Sequence, residues 1–250
     1  MASVNWWAIF AIGASVGFLG GLFGKGGSAI ATPLLHLVGV PAIIAVAAPL
    51  PATIPSTLAA TWAYWRERLV DGEVLRWSLG FGVPATVLGA LLTLWISGGV
   101  LVEATDVIIA ALGLRFFFWP QEAERLWGRP AHYRARLAVV ATVVGIASGL
   151  LANSGGFLLA PLYLAVLRLP IKAAFASSLA VAAVLGVPGT IVHWALGHID
   201  WRIVGVFGAA SIPLSYVGAR VALRANGERL ERVYGGALAI LGISLLFVGS

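Results

Sequence analysis

The sequence predicts an all-α polytopic membrane protein of two inverted repeats, with about 8–10 transmembrane segments that include two glycine-broken helical hairpins. Three observations carry that expectation. The 250 residues are 60% hydrophobic and only 10% charged, with a mean hydropathy of +0.97; that leaves too little polar surface to cover a soluble globule. Two stretches half a chain apart read as copies, Gly17-Phe18-Leu19-Gly20-Gly21-Leu22-Phe23-Gly24-Lys25-Gly26-Gly27 running to Pro33 and Gly145-Ile146-Ala147-Ser148-Gly149-Leu150-Leu151-Ala152-Asn153-Ser154-Gly155-Gly156 running to Pro161. Each half also divides into an odd number of apolar segments, so a second copy enters the bilayer from the opposite side.

The segments run roughly 7–24, 26–40, 43–65, 74–97 and 103–119, then 137–151, 155–168, 173–196, 202–223 and 231–249. Their register can be checked by residue: Pro33 pairs with Pro161 at an offset of 128, and Trp65 with Trp194, Asp71 with Asp200, Pro84 with Pro213 and Gly89 with Gly218 at 129. One inserted residue near Val40 and Pro170 accounts for the change. The chain then divides into a membrane repeat over 1–119, a connecting loop over 120–136 and a second membrane repeat over 137–250, all one membrane domain. Met1 to Trp7 carries no Lys or Arg, so the first apolar segment is expected to remain rather than be cleaved as a signal peptide. Pro49, Pro51 and Pro55 crowd the third segment, which predicts a broken helix there.

Charge gives an independent reading of sidedness, because Lys and Arg in short loops remain cytoplasmic. Alternating the connections puts every basic residue except Arg202 on one side. Both termini are thereby expected outside the cytoplasm, with Pro120 to Arg136 as the main cytoplasmic connection. Arg66 and Arg68 align with Ala195 and Gly197, as a corner facing in for one half and out for the other requires. The net charge of +6 is then a topological signal, and no basic run is dense enough to call for nucleic acid or anionic lipid.

The glycine-rich breaks are the candidate chemical sites. Non-helical backbone at membrane depth is tolerated only where protein or a wet cavity satisfies it. Either all ten segments cross, or each break is a re-entrant hairpin with its tip, Gly24-Lys25-Gly26-Gly27 or Asn153-Ser154-Gly155-Gly156, near the midplane. In the hairpin reading, helices starting at Ser28 and Gly156 aim free N–H groups and positive dipole ends at an anion. Lys25 adds a full charge, and Asn153 and Ser154 add neutral donors, with Ser177 and Ser178 nearby. The plainer alternative has Lys25 snorkelling to the interface and the glycines serving close helix packing.

The motif over Gly17 to Leu35, Gly-x-x-Gly-Gly-Leu-x-Gly-x-Gly-Gly followed by Pro-Leu-Leu, resembles the signature of the TauE/SafE sulfite exporter family. The stretch Gly145 to Leu162, with Ala176-Ser177-Ser178-Leu179 beyond it, is similar to that family's second repeat. The resemblance covers nearly the whole chain, including the spacing to Asp71-Gly72 and Asp200-Trp201. It implies a bacterial-type inner-membrane carrier of small sulfur oxyanions such as sulfite, sulfonates or sulfoacetate. Where the second copy reads Ala176-Ser177-Ser178, the first reads Ala47-Ala48-Pro49 and lacks the hydroxyls. Relatives that use cysteine chemistry are not matched, since the chain has no cysteine.

His36 and His193 are candidates for carrying a coupling proton, against the plainer role of hydrogen-bonded interfacial residues. Asp71 and Asp200 sit where carboxylates cap helix N-termini. Trp6, Trp7, Trp62, Trp65, Trp77, Trp194 and Trp201 near segment ends fit an interfacial belt. No catalytic or metal-ligand spacing, nucleophile elbow or Walker loop is present in the sequence, so no enzyme activity, metal or cofactor is expected. The resulting expectation is a secondary transporter moving the oxyanion by alternating access across the cytoplasmic (inner) membrane, with an anion channel or a non-transporting assembly subunit as alternatives. Its partners would be the anionic substrate, the lipid bilayer and a coupling proton or ion; a homodimer is compatible with this.

Overall fold

In the computed structural model, residues 5–24, 28–92, 114, 118, 130–150 and 156–248 are described. Most of the expected segment 103–119 and of the connecting loop 120–136 lies outside them. The described residues form helices and turns without strands: α1 (Trp6–Phe23), α2 (Ser28–Leu37), α3 (Ala42–Ala47), α4 (Pro49–Arg66), α5 (Gly72–Leu92), α6 (Tyr133–Leu150), α7 (Gly156–Ala165), α8 (Ile171–Ala195), α9 (Trp201–Arg224) and α10 (Gly227–Val248). Four stretches among them are long and apolar enough to cross a membrane: Trp6–Phe23, Ile43–Arg66, Ile171–Ala195 and Trp201–Arg224. α3 and α4 are interrupted only at Ala48, which keeps right-handed helical angles and donates its N–H to the Ile44 carbonyl. The prolines thus interrupt the third segment without turning it aside.

The helices assemble into two trios. In the first, α1, α4 and α9 run the same way: Gly13, Gly17 and Gly21 meet Phe207, Ser211 and Ser215 in order, and Ser56 bonds Ser211. In the second, α5, α6 and α8 share a direction, with Gly145 on Gly82, Ile146 on Gly89 and Ser177 beside Asp71. The trios join where α4 meets α8 head to tail, since Leu50 lies against Gly189 while the far end of α4 leads to Asp71 beside Ser177. The close contacts exchange between halves: Gly17 on Ser211 and Gly218 on Phe18 become Gly145 on Gly82 and Gly89 on Ile146 when 128 or 129 is added or subtracted. At each of these contacts a Cβ on the glycine would overlap backbone of the facing helix, so small residues set how closely the helices approach.

The turns repeat as well. Asp71 Oδ1 accepts from the N–H groups of Glu73 (2.8 Å) and Val74 (3.1 Å), and Asp200 Oδ1 from those of Arg202 (2.9 Å) and Ile203 (3.4 Å). Both are N-caps, as expected from the sequence. Left-handed backbone recurs at Gly39 and Arg168, and again at Arg68 and Gly197. Since α2 and α7 still match at an offset of 128 while Gly39 and Arg168 differ by 129, the extra residue lies in the turn that follows α7.

Basic residues gather at one end of the bundle, where Arg66 and Arg68 close α4, Arg134 opens α6, Lys172 opens α8 and Arg220 and Arg224 close α9. Arg202, in the first turn of α9, stands at the far end. Between the ends, Leu58, Leu88, Val143 and Ile191 point outward and are more than half exposed, as side chains facing lipid do. Trp62 and Trp65 near the basic end, and Trp6, Trp7, Trp194 and Trp201 at the far end, are exposed too; this is the arrangement of two interfacial belts.

Candidate functional site

Each break is flanked by helices of unequal length. α1 and α6 have 18 residues apiece, about 27 Å at 1.5 Å per residue. α2 and α7 have 10, about 15 Å, half of what a bilayer core requires. α2 places Ala31 and Leu35 in a cluster with Ile9 and Val16 of α1 and Ile203 of α9, so it returns along the first half of α1 and starts inside the bundle. α2 begins at Ser28 and α7 at Gly156, the two helix starts expected from the sequence. Lys25, Gly26 and Gly27 in the first tip, and Asn153, Ser154 and Gly155 in the second, lie outside the described residues.

Gly24 is the described part of the first tip. It takes a left-handed φ of 66° and donates its N–H to the Gly20 carbonyl, a helix end that favours glycine. A Cβ there would also lie 2.6 Å from the Phe175 Cα, so both conformation and space require glycine. Phe175 lies one turn into α8, at the basic end. Ile146, by contrast, meets Gly89 in the last turn of α5, toward the far end. The helices leading into the two breaks therefore end toward opposite ends of the bundle.

The fully buried Ser177 and Ser178 have separate structural partners. Ser178 Oγ donates to the Gly24 carbonyl (2.8 Å) or to that of Phe175 (2.9 Å), tying the first tip to α8. Ser177 Oγ accepts from the Asp71 N–H (3.2 Å) and so fixes the α4–α5 turn. The Tyr64 hydroxyl donates to the Gly21 carbonyl (3.2 Å), satisfying a second acceptor near the end of α1. His36 is exposed at the end of α2, with Nδ1 3.2 Å from the Val40 carbonyl. His193, in the last turn of α8, pairs Nδ1 to Nδ1 with His198 at 3.3 Å. Both expected proton carriers stand at the far end rather than inside the helix crossing.

One polar feature escaped the sequence reading. Thr53, Ser56 and Thr57 of α4 and Ser211 and Ser215 of α9, all buried, line a cavity of about 10 Å³ with Gly17, Gly20 and Gly21 of α1 and Leu179 of α8. That is the scale of a single water. Ser56 and Ser211 share a hydrogen bond of 2.9 Å. Ser215 donates to the Ser56 carbonyl (2.6 Å), Thr53 to that of Leu50 (2.8 Å) and Thr57 to that of Thr53 (2.8 Å). Ser177 and Ser178 do not line it. The signal was present in the spacing: Thr53-x-x-Ser56-Thr57 and Ser211-x-x-x-Ser215 each put their hydroxyls on one helix face.

An all-α polytopic membrane protein with broken short helices and a polar seam is the class that fold and site define. The family model described as sulfite exporter TauE/SafE matches residues 9–245, and the chain belongs to that family. Among its relatives are a probable membrane transporter protein of Xylella fastidiosa (strain 9a5c), 28% identical over 94% of this chain and 92% of that protein, and the probable membrane transporter protein YjnA of Bacillus subtilis (strain 168), 23% identical over 96% and 99%. No solved structure matches the chain. Family and relatives point to a membrane transporter rather than an enzyme.

Proposed function

We propose that the protein is a secondary transporter that moves a small sulfur oxyanion, of the sulfite, sulfonate or sulfoacetate class, across the cytoplasmic membrane by alternating access. The observation that carries this reading is the exchange of close contacts between halves: two trios of opposite direction, related by one register, are what inverted repeats produce. Rocking one trio against the other along the α4–α8 contact would open the basic end and the far end in turn. By the charge asymmetry the basic end faces the cytoplasm and both termini face away.

The substrate-binding groups in this reading are the starts of α2 and α7, with Gly24, Lys25, Gly26, Gly27 and Ser28 on one side and Asn153, Ser154, Gly155 and Gly156 on the other. Ser178 holds the Gly24 carbonyl so that the tip keeps its shape. The hydroxyl seam has a different part. Its protons are bonded to carbonyls or, between Ser56 and Ser211, to a hydroxyl when the helices are closed, leaving no stranded donor, and turn to water or substrate when α1, α4 and α9 part.

The deciding experiment is flux in proteoliposomes with sulfite, sulfate, sulfonates and carboxylates. Saturable flux driven by an imposed ion gradient, abolished by Lys25→Ala in well-folded protein, is the expected result. Fast, weakly saturating conductance would make the protein a channel, and absence of flux for every anion would remove the reading.

A further inference from the structure

At the basic end, a cavity of about 350 Å³ opens between the α4–α5 turn, the start of α8 and the last turns of α9, lined by Glu67, Leu69, Lys172, Arg220, Leu223 and Arg224. Three cations face one carboxylate. Lys172 Nζ donates to the Leu223 carbonyl at 2.8 Å, which uses one of its three protons and holds the ammonium at the wall. Arg220 Nη1 lies 4.0 Å from Glu67 Oε1, beyond hydrogen-bonding range, so its guanidinium keeps donors for an incoming acceptor. Lys172 is also one turn ahead of Phe175, against which Gly24 of the first break is packed.

The register of the duplication supplies the second argument. The partners of Glu67, Lys172 and Arg220 in the opposite half are Leu196, Ile43 and Leu91. Arg224 pairs with Trp95 and Leu69 with His198, so none of the three cations has a Lys or Arg partner and the set of charges is not repeated in the sequence of the other half. Topology alone asks for basic residues somewhere at this end, and exposed Arg66 and Arg76 meet that need. It does not ask for three cations around one space large enough for a small oxyanion.

We propose that this cavity is an oxyanion-binding vestibule that gathers substrate at the basic end and passes it to the first glycine break. The ligand chemistry is a compact oxygen anion held by one ammonium and two guanidinium groups, which raise its local concentration and rate of arrival. With its set of charges not repeated in the other half, the vestibule makes the transporter asymmetric, with a lower KM for substrate arriving from the basic end. The inference rests on the transport reading above.

The test uses full-length protein in liposomes, with sulfite flux measured from each face separately. Lys172→Gln, Arg220→Gln and Arg224→Gln should each raise KM from the basic face by about threefold or more, with kcat and far-face KM unchanged, and added salt should narrow the difference from wild type. Arg66→Gln and Arg76→Gln, which remove the same charge outside the cavity, should change KM less than twofold. Equal effects from all five would reduce the cavity to general surface potential and overturn the proposal. An anionic lipid phosphate offers the same chemistry: if the three cavity variants change flux only in vesicles containing phosphatidylglycerol, and not in purely zwitterionic ones, the ligand is a headgroup and the vestibule is refuted. Wild-type protein that moves no anion would instead fail the transport reading; sulfite binding in detergent, lost in Arg220→Gln and kept in Arg66→Gln, would still support the cavity.

Discussion

The crossing of α1 on α9 and that of α6 on α5 are the same crossing made twice, and they differ in one respect. Backbone meets backbone in both, at Gly17 and Gly218 in one and at Gly145 and Gly89 in the other. Around the first stand Thr53, Ser56, Thr57, Ser211 and Ser215; their register partners are Ala182, Leu185, Gly186, Gly82 and Thr86. Four of five hydroxyls have no counterpart. The close helix spacing is common to both crossings while four of the five hydroxyls are not, so the glycines set the approach in both and the hydroxyls distinguish one from the other. A carrier whose trios play different parts in opening would show this division.

The largest effects should come from what the crossings share. A side chain at Gly17 or Gly145 has nowhere to go, because the obstructing atoms are backbone of the facing helix. Gly17→Val and Gly145→Val should therefore both lose monodisperse, membrane-inserted protein, as seen by size exclusion after extraction. Gly205→Ala, on α9 with open space around its Cβ, should be tolerated and stabilise by up to about 1 kcal/mol through helix propensity. If one crossing accepts valine and the other does not, the two are not equivalent in packing and the argument from exchanged contacts fails.

The next effects separate the crossings. Removing Ser56 and Ser211 hydroxyls together deletes both partners of one bond and leaves neither stranded, and Thr57→Val preserves shape. The triple variant Ser56→Ala, Thr57→Val, Ser211→Ala should keep its thermal stability within a few degrees while flux falls about tenfold, the effect of roughly 1.4 kcal/mol on the opening step. At the less polar crossing the outcome should reverse. Leu185→Ala empties space beside Gly82 and should destabilise by about 2 kcal/mol or more, with flux per folded molecule little changed. Undiminished flux in the triple variant would make the seam a packing feature.

Much of this was legible beforehand because it lay in patterns a linear chain displays. The capping roles of Asp71 and Asp200 and the starts of α2 and α7 follow from residue type and spacing. The short arms were legible only as one of two readings, since Val38 to Val40 and Val166 to Leu167 stay apolar after the helix ends; hydropathy reports solvent preference, not hydrogen-bond geometry. Nor did the glycine motif say which of its members would pack and which would turn. Gly17 and Gly21 pack on α9, and Gly24 turns, a division fixed by a helix roughly 190 residues away in sequence. The hydroxyl seam was missed for the same reason: single Ser and Thr residues in apolar helices are common, and their meaning depends on the helix opposite.

The smallest predicted effect concerns the turns. Four left-handed residues pair across the duplication, Gly39 with Arg168 and Arg68 with Gly197, and the arginines are both at the basic end while the glycines are both at the far end. The backbone geometry is common to each pair; after α4 the Leu69 N–H bonds the Tyr64 carbonyl (3.2 Å), and after α8 the His198 N–H bonds that of His193 (3.0 Å). A left-handed non-glycine residue costs about 1–2 kcal/mol, so arginine stands there against local preference. In the proposed topology its charge accounts for the exception, because Lys and Arg beside a span hold that side in the cytoplasm. Arg68→Gly should then stabilise the purified protein by about 1 kcal/mol and Gly197→Ala should destabilise it by a similar amount, both read from thermal unfolding in one detergent. In cells the order should invert for Arg68→Gly combined with Arg168→Gly: a more stable fold, but a smaller fraction inserted with the basic end inward, measurable by protease protection. If that variant inserts as faithfully as wild type, the arginines are not held by topology, and the strain at those two turns needs another cause.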